Sequence, residues 1–173
     1  LHQRSGGTNT TGAISNANAY LTPSYLFFDF TSTGAWFSVE GYTRPFLRME
    51  WTPVVSNAHE LQMLSSKLGS NNAFSYKLAN DINLATSLTN KSEMWKDNSA
   101  SVDYSNYKGS WVPIGNSALF SGDFDGQNHT IDNLYIKRHV QNSNSSKLGL
   151  FGHIAGSSSD HSVIENLTLN NVN

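Results

Sequence analysis

Residues 120–136 read FSGDFDGQNHTIDNLYI. Three aspartates, a histidine and two glycines stand there among spaced phenylalanines, isoleucines and a leucine. In an extended segment Phe120, Gly122 and Phe124 share one face and Asp123 points to the other. Closely spaced carboxylates with glycine can make a calcium loop, but the D-x-D-x-D-G run and its closing glutamate are absent. DGQN, at 125–128, is instead a turn of the Asp-Gly type. The stretch therefore reads as the corner of a repeating β architecture. A second copy lies downstream, where VIENLTL at 163–169 matches TIDNLYI at 130–136 position by position. Self-similarity at such an offset predicts stacked repeats, each unable to bury its apolar face until the next covers it. Between the copies, QNSNSS at 141–146 is a surface loop and KLGLFGHIAG at 147–156 a further short apolar strand. Short strands with Asn, Asp or Gly at every corner predict an all-β fold, a right-handed parallel β-helix, in preference to a Greek-key sandwich. In that arrangement Ile131 stacks on Ile164, Leu134 on Leu167, Ile136 on Leu169 and Asn133 on Asn166, about 4.8 Å apart.

Composition points the same way. The chain has 173 residues, enough for one domain with a real core. Asn, Ser and Thr make up roughly a third of it, an unusual share, and these residues favour turns over helices. With a net charge of −2 and no basic run, the chain offers no phosphate-neutralising surface, so nucleic acid is not an expected partner. The absence of cysteine excludes disulfides and thiolate metal sites, and suits a large protein threaded unfolded through a periplasm. No apolar stretch reaches the length of a membrane span. The first residues, LHQRSGGTNT, have no apolar core of a signal peptide.

Along the chain, residues 1–19 read as a polar lead-in. Aromatics crowd residues 20–51 between glycines and prolines, predicting short strands and tight turns. In SNAHELQMLSSKLGS the spacing of Ala58, Leu61, Leu64 and Leu68 predicts one short capping helix over 57–68, started by Ser56 or Asn57. FSYKLANDINLA, 74–85, reads as two strands about a polar bend, and 86–109 as a long loop anchored by Met94 and Trp95. The expected division is 1–54, a flexible lead-in with the closing strands of a preceding module, and 55–173, a repeat module.

These blocks in this order resemble a known pattern. The capped helix, YKLANDINL, WVPIG, the opening segment, LGLFGHIAG and IENLTLNNV are similar to the GLUG-motif repeat module of large bacterial surface proteins. GYTRPFL followed by SNAHELQML resembles filamentous-haemagglutinin-type adhesins exported by two-partner secretion. The Asn-Pro motifs of that family's secretion domain are absent, which places the chain in the downstream shaft or tip. The resemblance implies a right-handed parallel β-helix, secretion to the cell surface, adhesion to a host-cell protein or glycan receptor, and contact with neighbouring modules. It implies no catalytic residue and no cofactor. The same module also occurs beside enzymes, so a substrate-binding or catalytic portion of a secreted glycan- or protein-cleaving enzyme is the rival expectation.

The residues themselves provide little catalytic pattern. His129, His139, His153 and His161 form no zinc motif, and the i+4 position from His59 is Met63. A G-x-S-x-G elbow is missing. A lyase would need a base such as Arg44, Arg48 or Arg138 beside an acidic cluster, which the sequence does not supply. No catalytic or metal-ligating residue is expected. The candidates for binding are Tyr104, Tyr107 and Trp111, aromatics in and after the long loop, with a core position under the WVPIG corner the competing reading of Trp111.

Overall fold

The computed structural model describes residues 14–15, 18–67, 74–90, 92–95, 110–115, 118–136, 147–156 and 161–173. An antiparallel pair comes first, β1 (Trp36–Phe37) with β2 (Phe46–Leu47). The remaining strands are parallel and fall into two sheets. One holds β3 (Val54–Val55), β4 (Ser75–Leu78), β6 (Asp123–Asp125) and β8 (Ile164–Glu165) in that order, and the other β5 (Ile82–Asn83), β7 (Thr130–Asp132) and β9 (Thr168–Asn170). Two helices, α1 (Ala58–Met63) and α2 (Leu84–Thr89), and three 3-10 turns complete the described elements.

The fold is thus mixed α/β, which corrects the expected all-β right-handed parallel β-helix. Two observations overturn it: the aromatic β1–β2 pair is antiparallel, and the chain leaves β5 directly into a helix. That helix lies where the sequence predicts a strand end and a loop. Its cause is local, because the side chain of Asn83 accepts a hydrogen bond from Ala85 N (2.9 Å) and caps LATSLT. The expected helix is present but short. Asn57 caps α1 by accepting from Glu60 N, and the residue before the cap, Ser56, donates its N–H to Glu60 Oε2 (2.7 Å), a one-residue variant of the capping box. After Met63 the chain tightens into a 3-10 turn, Leu64–Lys67, and Leu68 lies outside the described residues.

The repeat segments do pair in parallel, in a different register from the one expected. Phe124 pairs with Ile164 and Asp125 with Glu165, while Ile131 pairs with Leu169 and Asp132 with Asn170. IDNL and IENL are therefore not neighbours across a ladder. They are two uses of one corner: a strand ending in an acid, an asparagine in the left-handed conformation, then leucine, with φ of 60° at Asn133 and 51° at Asn166. Asparagine tolerates that conformation where most side chains do not. The earlier unit spends residues 126–129 between its strands and the later one only 166–167, so the offset shifts across the corner. Gly126 allows this, since a Cβ there would stand 2.6 Å from Leu167 Cα and closer still to Asn166 O.

One core joins the elements. Val55, Leu61, Leu64, Leu78, Leu84, Trp111, Ile114, Phe120, Phe124, Ile131 and Leu134 are buried together, with Phe46 from β2 in the same cluster. Gln62 is buried at its centre, donating to Val112 O (3.0 Å) and accepting from Trp95 Nε1 (2.9 Å). Arg48 ties the aromatic region to the 3-10 turn that follows α1: Nε donates to Trp36 O (3.2 Å), Nη1 to Ser66 O and Nη2 to Thr31 O (3.4 Å), and its guanidinium lies over Phe37. Among the described residues no helix is long and apolar enough to cross a membrane.

Leu134 is buried whereas Leu167 is half-buried. Leu134→Ala is expected to cost about 2–5 kcal/mol through lost burial and the cavity it leaves, and Leu167→Ala less than half as much, read from urea unfolding midpoints. Burial also pushes the Tyr76 phenol up to about 12. Above its ordinary value of 10.0 the unfolded chain releases this proton and the folded chain keeps it, so stability should fall as pH rises from 10.0 toward about 12. Tyrosinate absorbance that lags the other tyrosines and rises together with unfolding checks this.

Candidate functional site

Tyr104 and Tyr107 lie outside the described residues. Trp111 is fully buried, donating from its indole to Leu150 O (3.2 Å), with its ring 6.0 Å from that of Trp95. It belongs to the core and reaches no ligand at the surface. Of the other sequence candidates, Arg138 and His139 are outside the described residues, Arg48 is spent on carbonyls as above, and the Arg44 guanidinium lies 5.5 Å from the ring centroid of Tyr20. His153 and His161 are exposed and apart from His129 in the fold's ladders. His59 stands between two carboxylates, with Nε2 2.9 Å from Glu50 and Nδ1 4.0 Å from Glu93. Nε2 is thereby hydrogen-bonded, Nδ1 faces Glu93 beyond hydrogen-bond length, and the ring packs edge-on against Phe46. This cluster pins α1 to the turn holding Glu50. Among the described residues no group of three or more His, Cys, Asp or Glu is placed to hold a metal.

The aspartates of the opening segment work on the backbone. Asp123 Oδ1 accepts from Val163 N (2.9 Å), and Asp125 Oδ1 accepts from Gln127 N (2.9 Å) and from Asn166 Nδ2 (3.0 Å). Asp81 Oδ1 accepts from Thr130 N (2.8 Å) and faces His129 Nδ1 at 3.1 Å. The same relation recurs with amides: Asn133 Nδ2 donates to Asn83 Oδ1 (3.1 Å) and Asn171 Nδ2 to Asp132 Oδ1 (2.8 Å). Each unit thus offers an oxygen at the end of its strand, and the next unit's corner asparagine donates to it. The sequence-based expectation of stacked asparagines has the right chemistry and the wrong partners.

Beside these corners lies a groove of about 470 Å³, lined by Ala85, Leu88, Asn133, Leu134, Tyr135, Asn171, Val172 and Asn173. Its lining combines four aliphatic side chains with three amides and a phenol. Asn133 and Asn171 each commit one amide N–H to the corner bonds, which leaves the amide oxygen and a second N–H for a ligand. Such a rim matches a neutral ligand rich in hydroxyls or peptide groups, the usual combination of apolar lining with a few placed polar groups. Compared with known proteins, the chain matches no family model, no curated protein and no solved structure.

Tyr135, Asn171 and Asn173 were not among the sequence candidates. Their signal was available in the acid- or amide-Asn-aliphatic corner, which occurs at 132–134, 165–167 and 170–172. The groove itself depends on α2, which the sequence reading takes as loop.

Hydrogen bonds to Asn166 and Gln127 hold the Asp125 carboxyl below its ordinary value of 3.8, and those to Thr130 and His129 do the same for Asp81. A depressed folded value means the stabilisation is present above 3.8 and is lost as pH falls through the lowered values. Combining Asp81→Asn with Asp125→Asn should flatten the acid limb of a stability–pH profile below about pH 4. An unchanged limb in urea titrations would show that these corners carry no net proton linkage.

Proposed function

We propose that the chain is a non-catalytic segment of a secreted bacterial surface adhesin, supporting attachment to host cells, matrix or glycans. The observation that carries this reading is the amide-rimmed groove beside Tyr135, whose donors, acceptors and ring suit a sugar or an exposed peptide. The resemblance of the capped helix and five ordered sequence blocks to GLUG modules supports it, as do that of GYTRPFL with SNAHELQML to haemagglutinin-type adhesins and the cysteine-free composition for a protein exported unfolded. On this reading the Tyr135 ring stacks on the apolar face of a sugar while the amides of Asn133, Asn171 and Asn173 bind its hydroxyls.

The purified chain is to be tested on a glycan array and on immobilised matrix proteins. Binding is expected, weakened roughly tenfold by Tyr135→Leu and little changed by Tyr135→Phe, which keeps the ring. Binding indifferent to Tyr135 would move attachment away from the groove. Steady turnover of a polysaccharide or peptide library would replace adhesion by the enzymatic rival.

A further inference from the structure

Among the described residues β3 is the outer strand of its sheet, at the side away from β8. Its neighbour β4 uses only half of its peptide groups. Lys77 N donates to Pro53 O (3.0 Å) and Ala79 N to Val55 O (2.9 Å), and consecutive residues of a parallel strand turn their peptide groups to opposite sides. Val54 stands between Pro53 and Val55 in register with Lys77, so its N–H and carbonyl point away from β4. An exposed valine with two outward peptide groups is what an added strand would pair with.

Both groups are already filled. Val54 N donates to Thr52 Oγ1 (3.1 Å), and the same hydroxyl donates to Val54 O (3.3 Å). A threonine hydroxyl has one proton and two lone pairs, so one side chain folded back along the strand can serve donor and acceptor together. The neighbouring residues complete the pattern. Pro53 has no N–H. Ser56, the next residue to face outward, donates its N–H to Glu60 Oε2 (2.7 Å), and its carbonyl accepts from Asn80 Nδ2 (3.5 Å). From Val54 to Ser56 each outward peptide group therefore meets a side chain. We propose that Thr52 guards this edge, closing the β3 side of the ladder to strand addition so that the chain does not associate through it. The guard is made by Thr52, Glu60 and Asn80 themselves, which fill the groups that any further strand would need. The chain before β3 fits the same picture, because β2, separated from β3 by the 3-10 turn Arg48–Glu50, pairs with β1 in a sheet of its own. Without the hydroxyl, the strand best matched to the edge is β3 of a second copy, since two identical edges can face each other across a two-fold axis. The proposal does not depend on the groove beside Tyr135.

The test compares Thr52→Val, which keeps the shape of the side chain and removes the hydroxyl, with Thr52→Ser, which keeps the hydroxyl. Thr52 is only half-buried, so both variants keep the fold, which far-ultraviolet spectra check. In amide hydrogen exchange of the full chain, Val54 N–H should exchange roughly tenfold faster in Thr52→Val and at the wild-type rate in Thr52→Ser. The Lys77 and Ala79 amides, which bond to β3, should stay protected in both and report an intact sheet. In sedimentation velocity over a concentration series, Thr52→Val should self-associate about tenfold more tightly than the wild type. Thr52→Ala should do the same, and adding Val54→Lys to either should return association to the wild-type level, because a lysine on the edge guards it by another route. Association unchanged in both hydroxyl-free variants would overturn the proposal. So would association confined to Thr52→Val, which would assign it to the added apolar side chain, or association that survives Val54→Lys, which would place it on another surface.

Discussion

Parallel pairing between strands of two to four residues is the constraint to which the rest of the chain answers. Parallel neighbours cannot be joined by a hairpin, so each return path must cross the molecule and bring its own apolar residues with it. The crossing segments hold Trp111, Ile114, Phe120 and Leu150, and all of these are buried in the cluster that the strands alone could not fill. Ile114 and Phe120 even form single parallel bridges to Phe151 and Ile154. Strands this short gain few ladder bonds, and their stability has to come from the side chains stacked inside and the corners outside.

The corners are where that requirement meets electrostatics. An asparagine at positive φ costs backbone energy that most residues could not offset, yet here its amide donates to an oxygen of the preceding unit and returns a hydrogen bond. Asp81, Asp123 and Asp125 at these positions accept backbone N–H groups, and among the described residues no group of carboxylates is placed to hold a metal, although the segment resembles a calcium loop in sequence. Asp81, Asp123 and Asp125 each neutralise a peptide N–H that a sharp turn would otherwise leave without a partner inside the protein.

Legibility followed periodicity and failed where an isolated side chain decided. Alternating Tyr76 and Leu78, and Phe124 flanked by two aspartates, announced strands, and the structure buries those residues and exposes or half-exposes the others. The helix at α1 was readable because Asn57 and Glu60 form a recognisable start. α2 was not, because LATSLT carries two β-branched threonines and its single decisive feature is the Asn83 cap. Register was unreadable for a related reason. IDNL and IENL share a corner chemistry, so their likeness marks equivalent corners and not adjacent strands. Trp111 shows the limit from the other side: an aromatic after a polar loop looks like a ligand contact, but Leu150 O and Trp95 are what it meets.

Edge strands usually carry protection, such as lysine, proline, a bulge or a covering loop. Within their own residues, β9 (Thr168–Asn170) carries no lysine or proline, and β8 carries the single charge of Glu165. Among the described residues Leu169 is half exposed although it stands in line with the buried Ile131 and Ile82. The corner asparagines add to this, because Asn170 repeats an acceptor that in both earlier units is filled. The groove beside Tyr135 opens at this same end, sharing Asn171 with the corner and Val172 with the uncovered column.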